Sequence, residues 1–138
     1  MIYSYSYEIL PADTVDDPVV GHIKLNSGFI RRVQVSFPVG CAFAVKCCLY
    51  NDSRQLIPTN QDGVLCHDGG TIDVPMWYDI DNQGNDLYFV GWGDDLDYPH
   101  SVYLSIDVKE STEPDILLVQ SRVIDLLEHL INVIKGIL

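Results

Sequence analysis

The segment RRVQVSFPVG, Arg31–Gly40, decides the fold class. Its apolar residues Val33, Val35 and Phe37 alternate with Arg32, Gln34 and Ser36. A period of two puts one set on each face of an extended chain, which is the mark of a half-buried strand. The next ten residues, CAFAVKCCLY, repeat the pattern with Phe43, Val45, Cys47 and Leu49 as the apolar set. Further strand candidates cover residues 2–9, 21–26, 55–58, 71–75, 86–92 and 101–108, the last with Val102, Leu104, Ile106 and Val108 on one face. Turn signals separate them: PADTVDDP, NSG, FPVG, YNDS, PTNQDG, HDGG, DNQGN and GDDLDYP. They recur at intervals of roughly 8–12 residues, with no helical period between, and about eight such strands imply a mainly β chain folded as an antiparallel β-sandwich or jelly roll.

Size and charge bound what such a domain does. A chain of 138 residues, 47% hydrophobic, can bury one ordinary core and leaves little length for a second. Eight basic against twenty acidic residues give a formal charge of −12. That field repels phosphate backbones and anionic lipid headgroups, so the expected partners include no nucleic acid and no membrane. The start, MIYSYSYEIL, lacks a basic segment followed by an apolar run. The reading therefore expects no secretory leader and no membrane anchor, with synthesis and folding in a cytoplasm. Cys41, Cys47, Cys48 and Cys66 are too few for a disulfide-built scaffold and read as small, reduced core residues.

After Lys109 the pattern changes. ESTEP breaks the alternation, Thr112 with Asp115 resembles a capping box, and Pro114 suits a helical first turn. In DILLVQSRVIDLLEHLINVIKGIL the residues Ile116, Val119, Val123, Leu126, Leu130, Val133 and Ile137 recur at steps of three and four, filling every seam position of a heptad pattern. The domain boundaries that follow are a β-sandwich over 1–109, a linker over 110–114 and an amphipathic helix over 115–138. A second apolar row, Leu117, Ile124, Leu127, Ile131, Ile134 and Leu138, lies beside the first. The apolar face then covers about half the circumference, too wide for a two-stranded coil. Arg122, Asp125, Glu128 and His129 in mid-helix oppose a membrane span. The helix either folds back over its own sandwich or bundles with other copies, and the mixture of β-branched residues and leucine in the seam favours a homo-oligomer, trimer or larger.

Sites for chemistry are few. DIDNQGND, Asp79–Asp86, places Asp79, Asp81 and Gly84 as a helix-loop-helix calcium loop would, but Gln83 is a poor fifth ligand and the twelfth residue is Val90 instead of a closing glutamate. Strand-like flanks make residues 81–85 a hairpin loop. An irregular calcium site joining Asp79 and Asp81 to Asp94 and Asp95 is the remaining metal candidate, on the ground that loops at one end of a sandwich converge; no metal and no other cofactor is expected otherwise. Cys66-His67-Asp68 and His100-Ser101 are neighbours on extended chain, whose side chains point apart, so neither forms a zinc site or a nucleophile pair. The chain is read as not an enzyme. Trp77, Tyr78, Trp92 and Tyr98 fall near the acidic loops: Trp77, Trp92 and Tyr98 are the candidate ligand-binding residues of a glycan-binding module, while Trp92 and Tyr78 also suit packing. An acidic DNA mimic fits less well, because the charges sit in turns.

The series ILPADTVDDPV, LNSGFIRRVQVSFPVGC, QLIPTNQDG and GDDLDYPHSVYLSIDV resembles small β-sandwich proteins encoded among the virion genes of tailed phages and prophages. The likeness covers roughly residues 3–108 and carries no catalytic residue. It implies a head-associated or decoration role in a virion, with capsid protein as a partner beside the protein's own copies. The alternative is a glycan-binding or adhesion module, calcium-assisted. An edge at residues 2–9, YSYSYEIL in its core, also suits pairing with a partner strand.

Overall fold

The segment around Arg31 forms a central strand, β3 (Phe29–Ser36), whose inward side chains Ile30, Val33 and Val35 are buried. The computed structural model describes residues 1–52, 54–110 and 116–137, with side chains in the last stretch described from Arg122 onward. The other strands are β1 (Ile2–Ile9), β2 (Val19–Lys24), β4 (Val45–Asn51), β5 (Arg54–Ile57), β6 (Thr71–Asp79), β7 (Asp86–Gly93) and β8 (His100–Lys109). A one-turn helix α1 (Ile80–Gln83) joins β6 to β7, and α2 (Ile116–Ile137) follows the last strand.

Two antiparallel sheets of four strands result, in the orders β1-β8-β3-β6 and β2-β7-β4-β5. That interleaving is the double Greek key of an eight-stranded jelly roll. Alternation along each strand fills the space between the sheets with Ile30, Val33, Val35, Leu87, Phe89, Val102, Leu104, Ile106 and Val108. The edge strands β1 and β2 close one side. Tyr7 of β1 stacks on Phe89 with ring centroids 4.2 Å apart. Gly21 of β2 makes room for it, since a Cβ there would overlap the Tyr7 ring.

Three details differ from the sequence expectation. The alternation in β3 skips a residue at Arg31, where a bulge shifts the register against both β6 and β8; Arg31 and Arg32 both face solvent, meeting Asp107 at 3.2 Å and Asp73 at 3.1 Å. The strand expected from Cys41 begins only at Val45. Ala42 and Phe43 take positive φ, 48° and 62°, and the Phe43 ring is 56% exposed where the alternation placed it in the core. The stretch 81–85 is partly helical: Asp79 caps α1, accepting from the Asp81 and Asn82 amides at 3.1 and 3.3 Å, and Gly84 ends it at φ 108°.

The four cysteines are unpaired thiols, but Cys66, expected in the core, is only half-buried. Cys41 and Cys47 lie in the core. Cys48 faces outward, yet the β5–β6 loop covers it and its Sγ donates to the Gly63 carbonyl at 3.4 Å. Gln55 holds that loop, its amide reaching the carbonyls of Pro58, Asn60 and Gly63 at 2.8–3.0 Å.

Candidate functional site

A jelly roll sends alternate connections to opposite ends of the barrel. The β2–β3 turn, the β4–β5 turn and α1 share one end. There the Leu25 and Asn85 main chains and the Asn85 side chain bond each other at 3.0–3.1 Å, and Asn51 donates to Tyr78 Oη and the Gln83 carbonyl. Tyr78 is buried, and its hydroxyl donates to the Gly84 carbonyl at 3.0 Å. The packing role expected for Tyr78 is what the structure shows. The other four connections, β1–β2, β3–β4, β5–β6 and β7–β8, three of them long, share the other end.

This topology separates the metal candidates. Asp79 and Asp81 lie before the start of β7 and Asp94 and Asp95 beyond its end, so the eight residues of that strand, about 25 Å, stand between the pairs. The shared calcium site is thereby overturned: the two loops belong to opposite ends. Asp79 is instead spent on capping α1, and Asp94 pairs with Lys46. That hydrogen bond raises the Lys46 pKa, against a lesser opposing effect of desolvation. Among the described residues, no three His, Cys, Asp or Glu side chains gather as metal ligands.

The aromatic candidates do not converge either. Trp77 sits on the outer face of the first sheet, 58% exposed, stacked on Phe29 at 4.6 Å, with Lys109 Nζ 5.7 Å from its centroid. Trp92 lies half-buried on the outer face of the second sheet, beside Lys46. Tyr98 belongs to the β7–β8 loop, leaning on His100 at 4.6 Å. His100 is buried while its neighbour Ser101 is turned outward, and His67 accepts from the Asp68 amide as Asp68 accepts from Gly40. These side chains serve the loops that hold them.

The long-loop end carries exposed apolar residues that sequence reading missed, Val39, 85% exposed, and Phe43, which meets His67, in addition to the expected Tyr98. Phe43 fits the alternation, so its sequence signal pointed inward; only the left-handed turn at Gly40, Ala42 and Phe43 lifts it out. Aspartates 13, 16, 17, 62, 68, 94, 95 and 97 lie in the connections of this same end.

The largest apolar surface is on α2. Every described side chain from Arg122 to Ile137 is exposed, so the sandwich covers none of this length. Val123, Leu126, Leu130, Val133 and Ile137 of the expected seam are 45–78% exposed, and Ile124, Leu127, Ile131 and Ile134 beside them 48–55%. Ile116 and Val119 begin the helix, and their side chains lie outside the described residues, as does the expected cap at Thr112 and Asp115. Nine large apolar side chains in fifteen residues amount to several hundred Å² of contiguous patch, more than monomeric proteins commonly leave uncovered. No described helix is long and apolar enough to cross a membrane. The first strand, β1, is an edge strand paired only with β8, and its outer row of Ile2, Ser4, Ser6 and Glu8 is exposed.

Fold and surfaces together define a jelly roll with an uncovered amphipathic helix at its C-terminal end. No protein-family model and no curated protein sequence matches the chain. Among solved structures it is similar to an Fe(II) HppE, at 10% identity and a TM-score of 0.41 over 77% of this chain and 43% of that one. A protein described as FLHE is similar at 13% identity and a TM-score of 0.39, over 80% of this chain and 97% of that one. A subunit of Bacillus endospore appendages, disulfide-linked pili, is similar at 8% identity and a TM-score of 0.38, over 80% and 88%. The chain spans under half the length of the HppE chain. Likeness at this level carries no argument about activity, and a jelly roll hosts enzymes, lectins and shells alike.

Proposed function

We propose that the protein is a non-enzymatic structural component of a particle, a head-associated or decoration protein of a tailed-phage virion, that assembles with its own copies through α2. The observation that carries this reading is the uncovered apolar face of Val123–Ile137. Burying a large aliphatic side chain contributes about 1.5–3 kcal/mol, and this helix leaves that gain unused within its own chain. Symmetric particles are built by repeating one such contact. The chain leaves the sandwich after Lys109, at the end that holds Gly28 and α1, so the long loops with Val39, Phe43 and Tyr98 lie at the opposite end. Copies joined through their helices would then offer those loops, and the β1 edge, to capsid protein or to the outside. Manufacture in a host cytoplasm and residence in the virion belong to the same proposal, and the likeness of FPVGC, IPTNQDG and DYPHSVYLSI to virion β-sandwich proteins supports it. The glycan-binding alternative loses support from the separated aromatics and carboxylates.

Light scattering tests the reading. The full chain should run as a closed oligomer, and a version ending at Glu110 as a folded monomer, because among the described residues the core draws on none of α2. A monomeric full chain would sink the proposal.

A further inference from the structure

The arrangement of apolar residues on α2 specifies more than self-association. Two complete seven-residue repeats run side by side. The first seam holds Val123, Leu126, Leu130, Val133 and Ile137; the second holds Ile124, Leu127, Ile131 and Ile134, each one residue after a member of the first. A step of one residue turns by about 100° around a straight helix, and by about 103° when 3.5 residues make a turn of a supercoil. The helix thus presents two equivalent contact stripes at that angle, each formed of β-branched residues and leucine and each exposed along its length.

Resting on the self-assembly reading above, we infer that five copies of the chain close a parallel ring in which the first seam of each α2 packs into the second seam of the next. The angle between the directions to a member's two neighbours is about 60° in a triangle, 90° in a square, 108° in a pentagon and 120° in a hexagon, and the seam angle lies nearest the pentagon. Contact between unlike seams is heterologous, and heterologous contacts give rings when the rotation closes. All helices of a cyclic ring run the same way, which sets five sandwiches around one end of the bundle.

Two further features fit this occupant. Helical spacing places Glu128 and Lys135 along the outer rim of the second seam, and Arg122 and His129 along that of the first. In the ring, Glu128 of one copy falls between the heights of Arg122 and His129 on its neighbour, which sets Glu128 and Arg122 of adjacent copies as an opposite-charge pair. The positions between the two seams, which turn toward the ring axis, are Val123, Leu127, Leu130, Ile134 and Ile137. An apolar lining suits a narrow, dry bundle core and would be costly along a wide, water-filled channel.

The experiment uses the full chain and two variants, each with one seam blocked by exposed-residue changes: Leu126→Glu with Val133→Glu, and Ile124→Glu with Ile131→Glu. Native mass spectrometry should give five times 15.5 kDa, roughly 78 kDa, for the unmodified chain. Each variant alone should be monomeric, with the circular dichroism of an intact sandwich, and an equimolar mixture should give a one-to-one heterodimer joined through the two unblocked seams. A two-, three-, four- or six-fold mass for the unmodified chain, or a homodimer persisting when one seam is blocked, overturns the ring while leaving self-assembly standing. A monomeric unmodified chain overturns both.

Discussion

The sandwich and the helix begin from similar material, aliphatic side chains in a regular pattern, and treat it in opposite ways. In the sandwich a period of two is matched by a facing sheet, so Ile30, Val33, Leu87, Phe89, Val102 and Ile106 are buried to 0–1% exposure. In α2 a period near 3.5 is left uncovered along the described side chains from Val123 to Ile137, and Leu126 and Ile137 stand 69% and 78% exposed. One region completes its burial within the chain. The described side chains of the other stay exposed, so stability and the proposed assembly draw on different surfaces.

That separation can be broken most directly by mutation. Replacing both Leu126 and Leu130 by Asp puts two charges per copy into the proposed contact, and the association constant measured by sedimentation should fall by more than about a hundredfold, because desolvating an unpaired charge costs several kcal/mol. The urea midpoint of the sandwich should hardly move. Phe89→Ala should do the reverse. It removes a ring that is 1% exposed and stacked on Tyr7, at a cost of about 3–5 kcal/mol in unfolding free energy, with the oligomer mass unchanged while the protein stays folded. Should either variant disturb both properties alike, the two regions are coupled.

Alkaline titration sharpens the comparison further. Burial pushes the Cys48 thiol up to about 11 from an ordinary value near 9. The neutral thiol is the form the fold favours, so its contribution is fully present below pH 9. It is lost as pH rises toward 11, because the unfolded chain ionises first. The stability lost between those limits follows the size of that shift. The fall in stability between pH 8 and 10.5 should be smaller in Cys48→Ala than in the unmodified protein, measured by urea unfolding, with α2 assembly unaffected. Burial also raises Tyr5 and Tyr7, so part of the alkaline loss should survive that substitution.

The smallest effect concerns the acidic loop. Asp79→Ala should cost about 1 kcal/mol through loss of the α1 cap. Calcium should leave the melting temperature of both proteins unchanged at millimolar levels; a calcium-dependent rise lost in the variant would restore a metal role to Asp79.

Much of this was legible along the chain because the patterns are local. Period two in RRVQVSF and SVYLSIDV marked β3 and β8, and turn residues marked the loop at DNQGN. Steps of three and four marked the helix within a residue of its observed start at Ile116. What escaped was anything that depends on a partner strand. The bulge at Arg31 is forced by two neighbours, β6 and β8, whose registers must both be met. Phe43 carries the alternation of a core residue and is turned out by a left-handed main chain that no local preference of Ala or Phe would select. The aromatic set failed for a topological reason, since Trp77 and Trp92 lie in different sheets.

The sequence by itself determined most of the strands, the long helix, the class of fold and the two-seamed apolar face of α2, since each follows from the spacing of side chains along one element. Only the tertiary structure decided which loops share an end. The jelly-roll order sends Asp79 and Asp94 to opposite ends of β7, dissolving a metal site that required their two loops to converge at one end. It also decided that the side chains from Arg122 to Ile137 stay outside the sandwich core. Burial is a property of pairs of surfaces, and a pattern along one chain segment does not say which surface it will meet.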